Sequence, residues 1–155
     1  MIDQLRWEPL FVMKLTVGYG RAQPLGMTPL GERGVYPVDG GTFEGNRLRG
    51  TVSTGGADWV THRADGNMVI DVRLTLMTHD GGIIGMTYTG LARGKQPDSE
   101  AFRKREMLTY DDTFLHTTPR FETGDERYSW INGVIAVTNG MRVENGGLYH
   151  VFSIL

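Results

Sequence analysis

The amino-acid sequence predicts one all-β domain, an antiparallel closed or nearly closed barrel of about nine or ten strands with at most one short helix. Apolar residues recur at every second position in several short stretches, which is the period of a β-strand. Glycine accounts for 22 of the 155 residues and often occurs in pairs, which is typical of many short turns. Evenly spaced strands fit a sandwich or a barrel, and closure favours the barrel because it leaves no unpaired edge.

The first third of the chain alternates strands with glycine-rich breaks. Residues 11–17 alternate apolar with polar side chains and predict the first strand. Residues 18–33 are rich in glycine and proline and predict a long irregular loop. A short strand is expected at 35–38, ended by the glycine pair that begins at Gly40, and another at 48–54.

The central third predicts a three-stranded meander over residues 57–64, 67–79 and 82–92. The pairs that begin at Asp65 and Asp80 are both Asp-Gly and separate these alternating stretches. Asp-Gly is the preferred pair of a two-residue type I′ hairpin loop, since both of its positions need a positive φ.

Two-residue loops fix a register across the meander. They place Asp58 opposite Arg73 and Arg73 opposite Tyr88, with Asp71 on the same face, and directly opposed residues lie about 5 Å apart at Cβ. A bulge in either hairpin would break this row. The sequence therefore predicts a polar row across three strands.

The meaning of the row depends on which face points inward. If the face with Trp59, Val72 and Leu74 forms the core, the row is an exposed ion pair worth under about 1 kcal/mol. If the row faces a barrel interior, its charges must be paired, and the tyrosine can exchange a proton. Both interpretations stay open at this point.

The last third predicts one short helix and several further strands. Asp98 or Ser99 can cap a helix at residues 100–108. The strands expected beyond it are 114–118, which Pro119 limits, then 128–131, 134–138 and 148–154, with a short piece at 141–143 between turns at Asn139-Gly140 and Asn145-Gly146.

Composition excludes several classes of function. The 16 basic and 18 acidic side chains give a net charge of -2, and no basic block is present to collect phosphates, so nucleic-acid binding is not expected. The absence of cysteine excludes disulfides, thiolate metal sites and a cysteine nucleophile. No apolar stretch has the length of a signal peptide core or a membrane span. We therefore expect a soluble cytoplasmic protein.

Motifs for cofactors and metals are missing as well. The four histidines have no ligand spacing, so no metal site is expected. No Gly-x-Gly-x-x-Gly or Gly-Lys-Ser/Thr sequence follows a predicted strand, and no Gly-x-Ser-x-Gly elbow occurs. The sequence therefore predicts no cofactor.

Residues 117–132 are dense in carboxylates, guanidinium groups, hydroxyls and aromatic rings. As a pocket lip, Glu122 would serve as a general acid or base, Arg120 would hold an anionic group and Tyr128 would orient it. As a structural turn, the segment would be bounded by salt bridges, with Trp130 and Phe121 in the core. The residues alone do not choose between the two.

Three stretches carry a resemblance to a known family: residues 26–33, residues 40–50 with 56–59, and residues 117–132. They resemble uncharacterised protein family 0311, also known as domain of unknown function 3237. The resemblance covers nearly the whole chain. It implies a calycin- or lipocalin-like β-barrel that often encloses a small-molecule ligand, and a homodimer.

The resemblance favours the inward-facing interpretation of the polar row. The candidate catalytic residues are then Asp58, Tyr88 and Glu122. The candidate ligand-binding residues are Glu44, Trp59, Arg73, Arg120, Tyr128, Trp130 and Asn132, which match positions of the family's recurrent motifs.

Three functions remain open: an isomerase, lyase or cyclase without a cofactor that acts on a small carbonyl or aromatic compound; a barrel that binds a small hydrophobic ligand; and a structural dimer with a filled core.

Overall fold

The structure is a computed structural model that describes residues 3–93 and 114–155. Its ten strands are β1 Trp7–Val17, β2 Gln23–Thr28, β3 Gly31–Glu44, β4 Arg49–Val52, β5 Ala57–His62, β6 Met68–Thr78, β7 Ile83–Arg93, β8 Phe114–Glu122, β9 Ile135–Val143 and β10 Gly146–Ile154. Within the described residues, 3₁₀ helices cover Tyr19–Arg21 and Glu126–Gly133.

The strands close into a ring in which every pairing is antiparallel. The order runs β1, β10, β9, β8, β7, β6, and the ring closes because β3 pairs with β1. Between β6 and β3 the short strands β4 and β5 follow one another at a single position, each pairing with both neighbours. Strand β2 pairs with β3 outside the ring. The prediction of a closed antiparallel barrel is confirmed, with eight positions around the ring.

The longest strand corrects two predictions about the first third of the chain. Residues 18–33 are not one loop, because they include β2 and the start of β3. The glycine pair does not end the strand either, since β3 continues through it to Glu44. Gly41 has a φ of 152°, and a Cβ there would overlap the carbonyl oxygen of Lys14 on β1. Glycine lets two backbones approach closely and so keeps the strand in the ring.

The predicted register of the meander is wrong by one residue in each hairpin. The loops are three residues long: Arg63 N–H donates to Asn67 O at 2.9 Å, and Thr78 N–H donates to Gly82 O at 2.8 Å. In each loop the glycine has a positive φ and the aspartate does not. A type I turn followed by a left-handed glycine gives this three-residue loop, whereas a type I′ turn would need two positive values.

The two errors cancel across the meander. Asp58 lies opposite Val72 rather than Arg73, and Val72 lies opposite Tyr88. Asp58 and Tyr88 therefore still share a face, and it is the inner one. Arg73 pairs with Thr87 and its side chain is exposed on the outer face.

Two C-terminal predictions are also corrected. Residues 128–131 belong to the 3₁₀ helix rather than to a strand, and Asn139-Gly140 lies inside β9 rather than in a turn. Strand β8 continues past Pro119. This residue pairs with Tyr88 on β7, and it has no paired residue on β9, the neighbour on its other side. Proline lacks the N–H that a second neighbour would need.

The helix predicted at residues 100–108 lies outside the described residues. None of the helices in residues 3–93 and 114–155 has the length and apolar character needed to cross a membrane.

One half of the barrel interior is filled by large apolar side chains. Phe11 packs against Phe43 and Phe121, with ring centroids 5.6 and 5.9 Å apart. The 3₁₀ helix Glu126–Gly133 adds a fully buried Ile131 to this half. Each such side chain stabilises the fold by about 1.5–3 kcal/mol through burial. The packed half anchors the strands whose other ends surround a hollow.

Candidate functional site

A cavity of about 780 Å³ occupies the other half of the barrel. Its wall is formed by inward-facing side chains of eight strands, most of them apolar, such as Val60, Ile70 and Val72. Deep in the cavity lie Asp58, Tyr88 and Tyr149. Small-molecule sites in proteins have this composition, an apolar enclosure with a few polar groups that converge.

Asp58 reaches the cavity from β5 at a point where the ladder between β5 and β6 is interrupted. Trp59 and Val60 have no paired partners on β6, and the N–H of Asp71 instead donates to Oδ1 of Asp58 at 3.1 Å. Burial raises the pKa of Asp58 to about 7, although the hydrogen bond from Asp71 favours the ionised form. Asp58 can therefore hold or release a proton near neutral pH.

Tyr88 and Tyr149 face each other beside Asp58. Their ring centroids are 5.6 Å apart with an angle of 56° between the planes. Burial raises the pKa of both phenols above the ordinary value, and the nearby Asp58 carboxylate adds to each shift. Both phenols therefore stay protonated and are able to donate a hydrogen bond.

The hydroxyl of Tyr88 is a buried polar group that lies within reach of the Tyr149 hydroxyl. The residue is 2% exposed, and within residues 3–93 and 114–155 its oxygen makes no hydrogen bond of good distance and angle. A buried donor left unsatisfied costs about 1–3 kcal/mol. A ligand atom in the cavity would remove this cost.

Two glycines make room for Tyr149. A Cβ on Gly140 would lie 2.9 Å from the ring, and a Cβ on Gly147 would lie 2.7 Å from it. Gly140 is the strand partner of Tyr149, and Gly147 precedes it by two residues on the same inner face. The absence of these side chains lets the ring lie flat against the wall beside the cavity.

The rim of the cavity combines aromatic and charged side chains. Tyr19 packs edge-on against Tyr36, with centroids 6.1 Å apart, and the Arg142 guanidinium lies 5.1 Å from the centre of the Tyr19 ring. His62 at the end of β5 and Asp65 in the following turn also line the rim, and both are exposed.

The arrangement can transfer protons. Two strand spacings of about 4.8 Å place the Cα atoms of Asp58 and Tyr88 about 10 Å apart across Val72. A bound molecule between them can contact a carboxyl group on one side and a phenol donor on the other. Such a pair serves as a general base and an electrophilic donor toward the same substrate.

The remaining predicted site residues on strands do not reach the cavity. They lie on the outer face of the barrel: Glu44, Trp59, Arg73, Arg120 and Glu122 are all exposed there. Alternation along a strand gives the reason, because their neighbours Phe43 and Phe121 point inward and are buried.

The last three predicted residues lie in the 3₁₀ helix at the packed end. The Tyr128 hydroxyl donates to Asp80 Oδ1 at 2.7 Å, and the Asn132 amide exchanges two hydrogen bonds with the backbone of Thr123. Trp130 stacks under the guanidinium of Arg47 at 3.5 Å. The segment therefore closes the barrel end opposite the cavity.

Hydrogen bonds around Asp80 hold this closure in place. Thr78 donates to the carboxylate at 2.6 Å and Tyr128 at 2.7 Å, and together they lower the pKa of Asp80 to about 2. Arg127 pairs with Asp80 and Asp125 at 3.2 and 2.7 Å. The structural interpretation of residues 117–132, a turn bounded by salt bridges, matches this geometry.

Sequence reasoning missed Tyr149 and Arg142. Both lie on the inner face of the β9–β10 hairpin, where Gly140 and Gly146 were assigned to turns. The usable signal was the alternation of Gly147, Tyr149 and Val151 along β10, which places the tyrosine on the same face as a buried valine.

A second concavity lies on the outside of the barrel, with a volume of about 740 Å³. It is lined by Trp7, Phe114, Phe152 and other side chains of β1 and β7 to β10, and none of its described lining residues is a carboxylate. In the part of the chain that the structure describes, no three His, Asp or Glu side chains are grouped as metal ligands. The inner cavity is therefore the place where titratable groups converge.

Together, the closed ring and the half-hollow interior define a β-barrel protein with a polar-floored cavity. The chain belongs to the family described as protein of unknown function (DUF3237), whose model matches residues 5–154.

A UPF0311 protein of Bradyrhizobium diazoefficiens is 29% identical over 132 residues, covering 85% of this chain and 86% of that protein. A solved β-barrel like protein from Acinetobacter baumannii is 28% identical with a TM-score of 0.82, covering 100% of this chain and 99% of that one. A solved structure described as an enzyme from Penicillium herquei has 22% identity and a TM-score of 0.75, and covers 100% and 98% of the two chains. The last of these likenesses concerns the fold alone.

Proposed function

We propose that this barrel is a cofactor-independent acid/base enzyme, an isomerase, lyase or cyclase that acts on a small carbonyl or aromatic compound. One observation carries the proposal: Asp58, with a pKa raised to about 7, shares an apolar cavity with the buried hydroxyl of Tyr88, which makes no well-aligned hydrogen bond within the described residues. A carboxyl group in a cleft whose pKa is strongly perturbed by burial is a candidate for a functional site. The solved Penicillium herquei protein of the same fold is described as an enzyme, which also favours catalysis.

The residues have distinct roles in the proposed reaction. The Asp58 carboxylate takes a proton from a carbon next to a carbonyl, and the electron pair of the C–H bond moves to the carbonyl oxygen. Tyr88, and Tyr149 beside it, donate hydrogen bonds to that oxygen as negative charge develops. The protonated Asp58 exchanges its proton with solvent and returns a proton to the same carbon or to another atom of the substrate, so no oxidant, reductant or further reactant is needed.

The test follows proton exchange directly. Wild-type protein is incubated in D₂O with a panel of small cyclic and aryl ketones, and deuterium entry at the carbon next to the carbonyl is followed by NMR. We expect D58N to lower the exchange rate by about 10²-fold or more, because a general base is removed. Y88F should lower it as well, by weakening stabilisation of the oxyanion.

Two further variants sharpen the test. E126Q removes an exposed carboxylate in the 3₁₀ helix at the closed end of the barrel and should exchange at the wild-type rate. E122Q removes the competing candidate carboxylate on β8 and should also keep that rate. Three results would overturn the proposal: D58N exchanges at the wild-type rate, E122Q loses exchange, or the wild-type protein exchanges no ketone of the panel.

A second candidate function is non-catalytic binding of a small hydrophobic ligand. The apolar walls of the cavity favour it, since side chains such as Leu15, Val38 and Leu115 outnumber the polar ones. Binding without exchange would identify this function: ketones of the panel would bind to wild type and D58N alike, with no deuterium entering either.

A further inference from the structure

We infer that the cavity takes a small organic anion, held with its carboxylate-like group at Arg142 on the rim and an oxygen acceptor at Tyr88 on the floor. This inference rests on the proposed function only in placing the ligand in the same cavity. Within residues 3–93 and 114–155, no carboxylate pairs with Arg142 and the Tyr88 hydroxyl makes no well-aligned hydrogen bond, and the two groups lie at opposite ends of one apolar space.

Arg142 is the first part of the argument. It lies on the inner face of β9 and lines the cavity, and its strand partner on β10 is Gly147, over which the Tyr149 ring packs. The guanidinium packs over the ring of Tyr19, and no carboxylate of residues 3–93 or 114–155 forms an ion pair with it. Aromatic packing orients a guanidinium without neutralising it, so the positive charge stays available to an anion.

The acidic groups around the cavity do not cancel this charge. Asp65 on the rim is paired with Arg63 by a 2.5 Å contact. Asp58 lies deeper and is bound to the backbone of β6 rather than to a cation. Among the described residues, the rim therefore presents Arg142 as an unneutralised cation, with His62 as a further polar group of the rim.

The floor supplies the second contact. The Tyr88 hydroxyl is a buried donor without a described partner, so a carbonyl or hydroxyl oxygen of a ligand would satisfy it. Gly140 on β9 is the strand partner of Tyr149, which neighbours Tyr88, and Arg142 lies two residues further along β9. Two residues of a strand span about 7 Å. A ligand with its oxygen and its anionic group separated by a short apolar spacer fits both contacts.

The probes are 4-hydroxybenzoate, 4-hydroxyphenylacetate and 3-(4-hydroxyphenyl)propanoate, each compared with its neutral primary amide. Affinity is measured by isothermal titration calorimetry near pH 6. The best acid should bind wild type about tenfold or more tightly than its amide, as a charge-assisted contact allows. The non-hydroxylated analogue of that acid should bind wild type less tightly, and Y88F should abolish this difference.

Variants at the rim identify the source of the preference. R142Q should remove the preference for the acid and leave the affinity of the amide unchanged, whereas R142K should retain part of it. R49Q removes an exposed arginine on β4, with the same change in net charge, and should keep the full preference. R142M serves in place of R142Q if thermal unfolding shows that the glutamine variant is not folded.

The inference fails if wild type binds acid and amide equally, if the preference survives in R142Q, or if no acid of the panel binds. D58N separates this failure from that of the proposed function, because it should keep the preference for the acid while losing proton exchange. Exchange without a preference for acids would overturn only the present inference, and preference without exchange would overturn only the catalytic proposal.

Discussion

Replacement of Asp58 by asparagine should change how the stability of the barrel depends on pH. The carboxyl group has an ordinary pKa of 3.8 and a pKa of about 7 in the folded chain. The folded state therefore binds more protons than the unfolded state between these two values, and stability falls as pH rises through that window. Above pH 7 the slope from this group disappears.

The magnitude follows from the two pKa values. Each unit of difference corresponds to about 1.4 kcal/mol. Between pH 5 and pH 8 the wild-type chain should lose about 2–3 kcal/mol of unfolding free energy through Asp58 alone. Asparagine cannot ionise, and its side-chain oxygen can still accept the hydrogen bond from the Asp71 N–H. D58N should therefore lack this loss and be more stable than wild type at pH 8.

The assay is urea unfolding of both proteins at pH 5 and pH 8, followed by tryptophan fluorescence. Comparing the two proteins at each pH removes the contribution of all other titrating groups. The Asp80 carboxylate, for example, has a lowered pKa of about 2, so its contribution is lost only in acid and is the same in both proteins. An equal difference between wild type and D58N at the two pH values would show that the Asp58 carboxyl is solvated, and the basis of the catalytic proposal would be removed.

Three further substitutions test the cavity and the closed end. Y88F should leave the urea midpoint unchanged or raise stability by up to about 2 kcal/mol, since it removes an unsatisfied buried hydroxyl; a loss of stability would mean that the hydroxyl has a partner. G147A should lower stability by about 1–3 kcal/mol, because its Cβ would lie 2.7 Å from the Tyr149 ring; an unchanged thermal midpoint would contradict the tight contact. Y128F should cost about 1 kcal/mol and raise the pKa of Asp80 in an NMR titration, since a 2.7 Å hydrogen bond is lost; an unmoved pKa would refute that bond.

The fold could be predicted from the sequence because strand alternation and turn chemistry are local signals. The meander at residues 57–93 illustrates both the strength and the limit of this reasoning. Alternation located its strands to within about two residues. The type of turn was not encoded in Asp-Gly alone, because the same pair fits a type I′ loop or a type I turn followed by a left-handed glycine. One extra loop residue moved Arg73 to the outer face.

The candidate site was less predictable because it depends on which face of each strand points inward and on where the interior is empty. Asp58 and Tyr88 were selected by a predicted register whose two errors cancelled. The prediction that they share a face was therefore right, although Val72 rather than Arg73 lies between them. Tyr149 enters the site only through the glycines that leave space for its ring, which is a property of packing rather than of motif. The dense chemistry of residues 117–132 forms the closed end instead.

The division of the barrel into a packed half and a hollow half explains how it can tolerate its polar floor. A desolvated Asp58 and an unsatisfied Tyr88 each lower the stability of the free protein, by a few kcal/mol in total. The aromatic and aliphatic side chains of the packed half, with the hydrogen bonds of Tyr128 and Asp80, offset this loss at a distance from the cavity. A barrel under selection for stability alone would fill the hollow with apolar side chains, as it does at the other end. Under the proposed function, a bound ligand would remove the cost of the polar floor, since an oxygen acceptor at Tyr88 would add a hydrogen bond and stabilise the folded state.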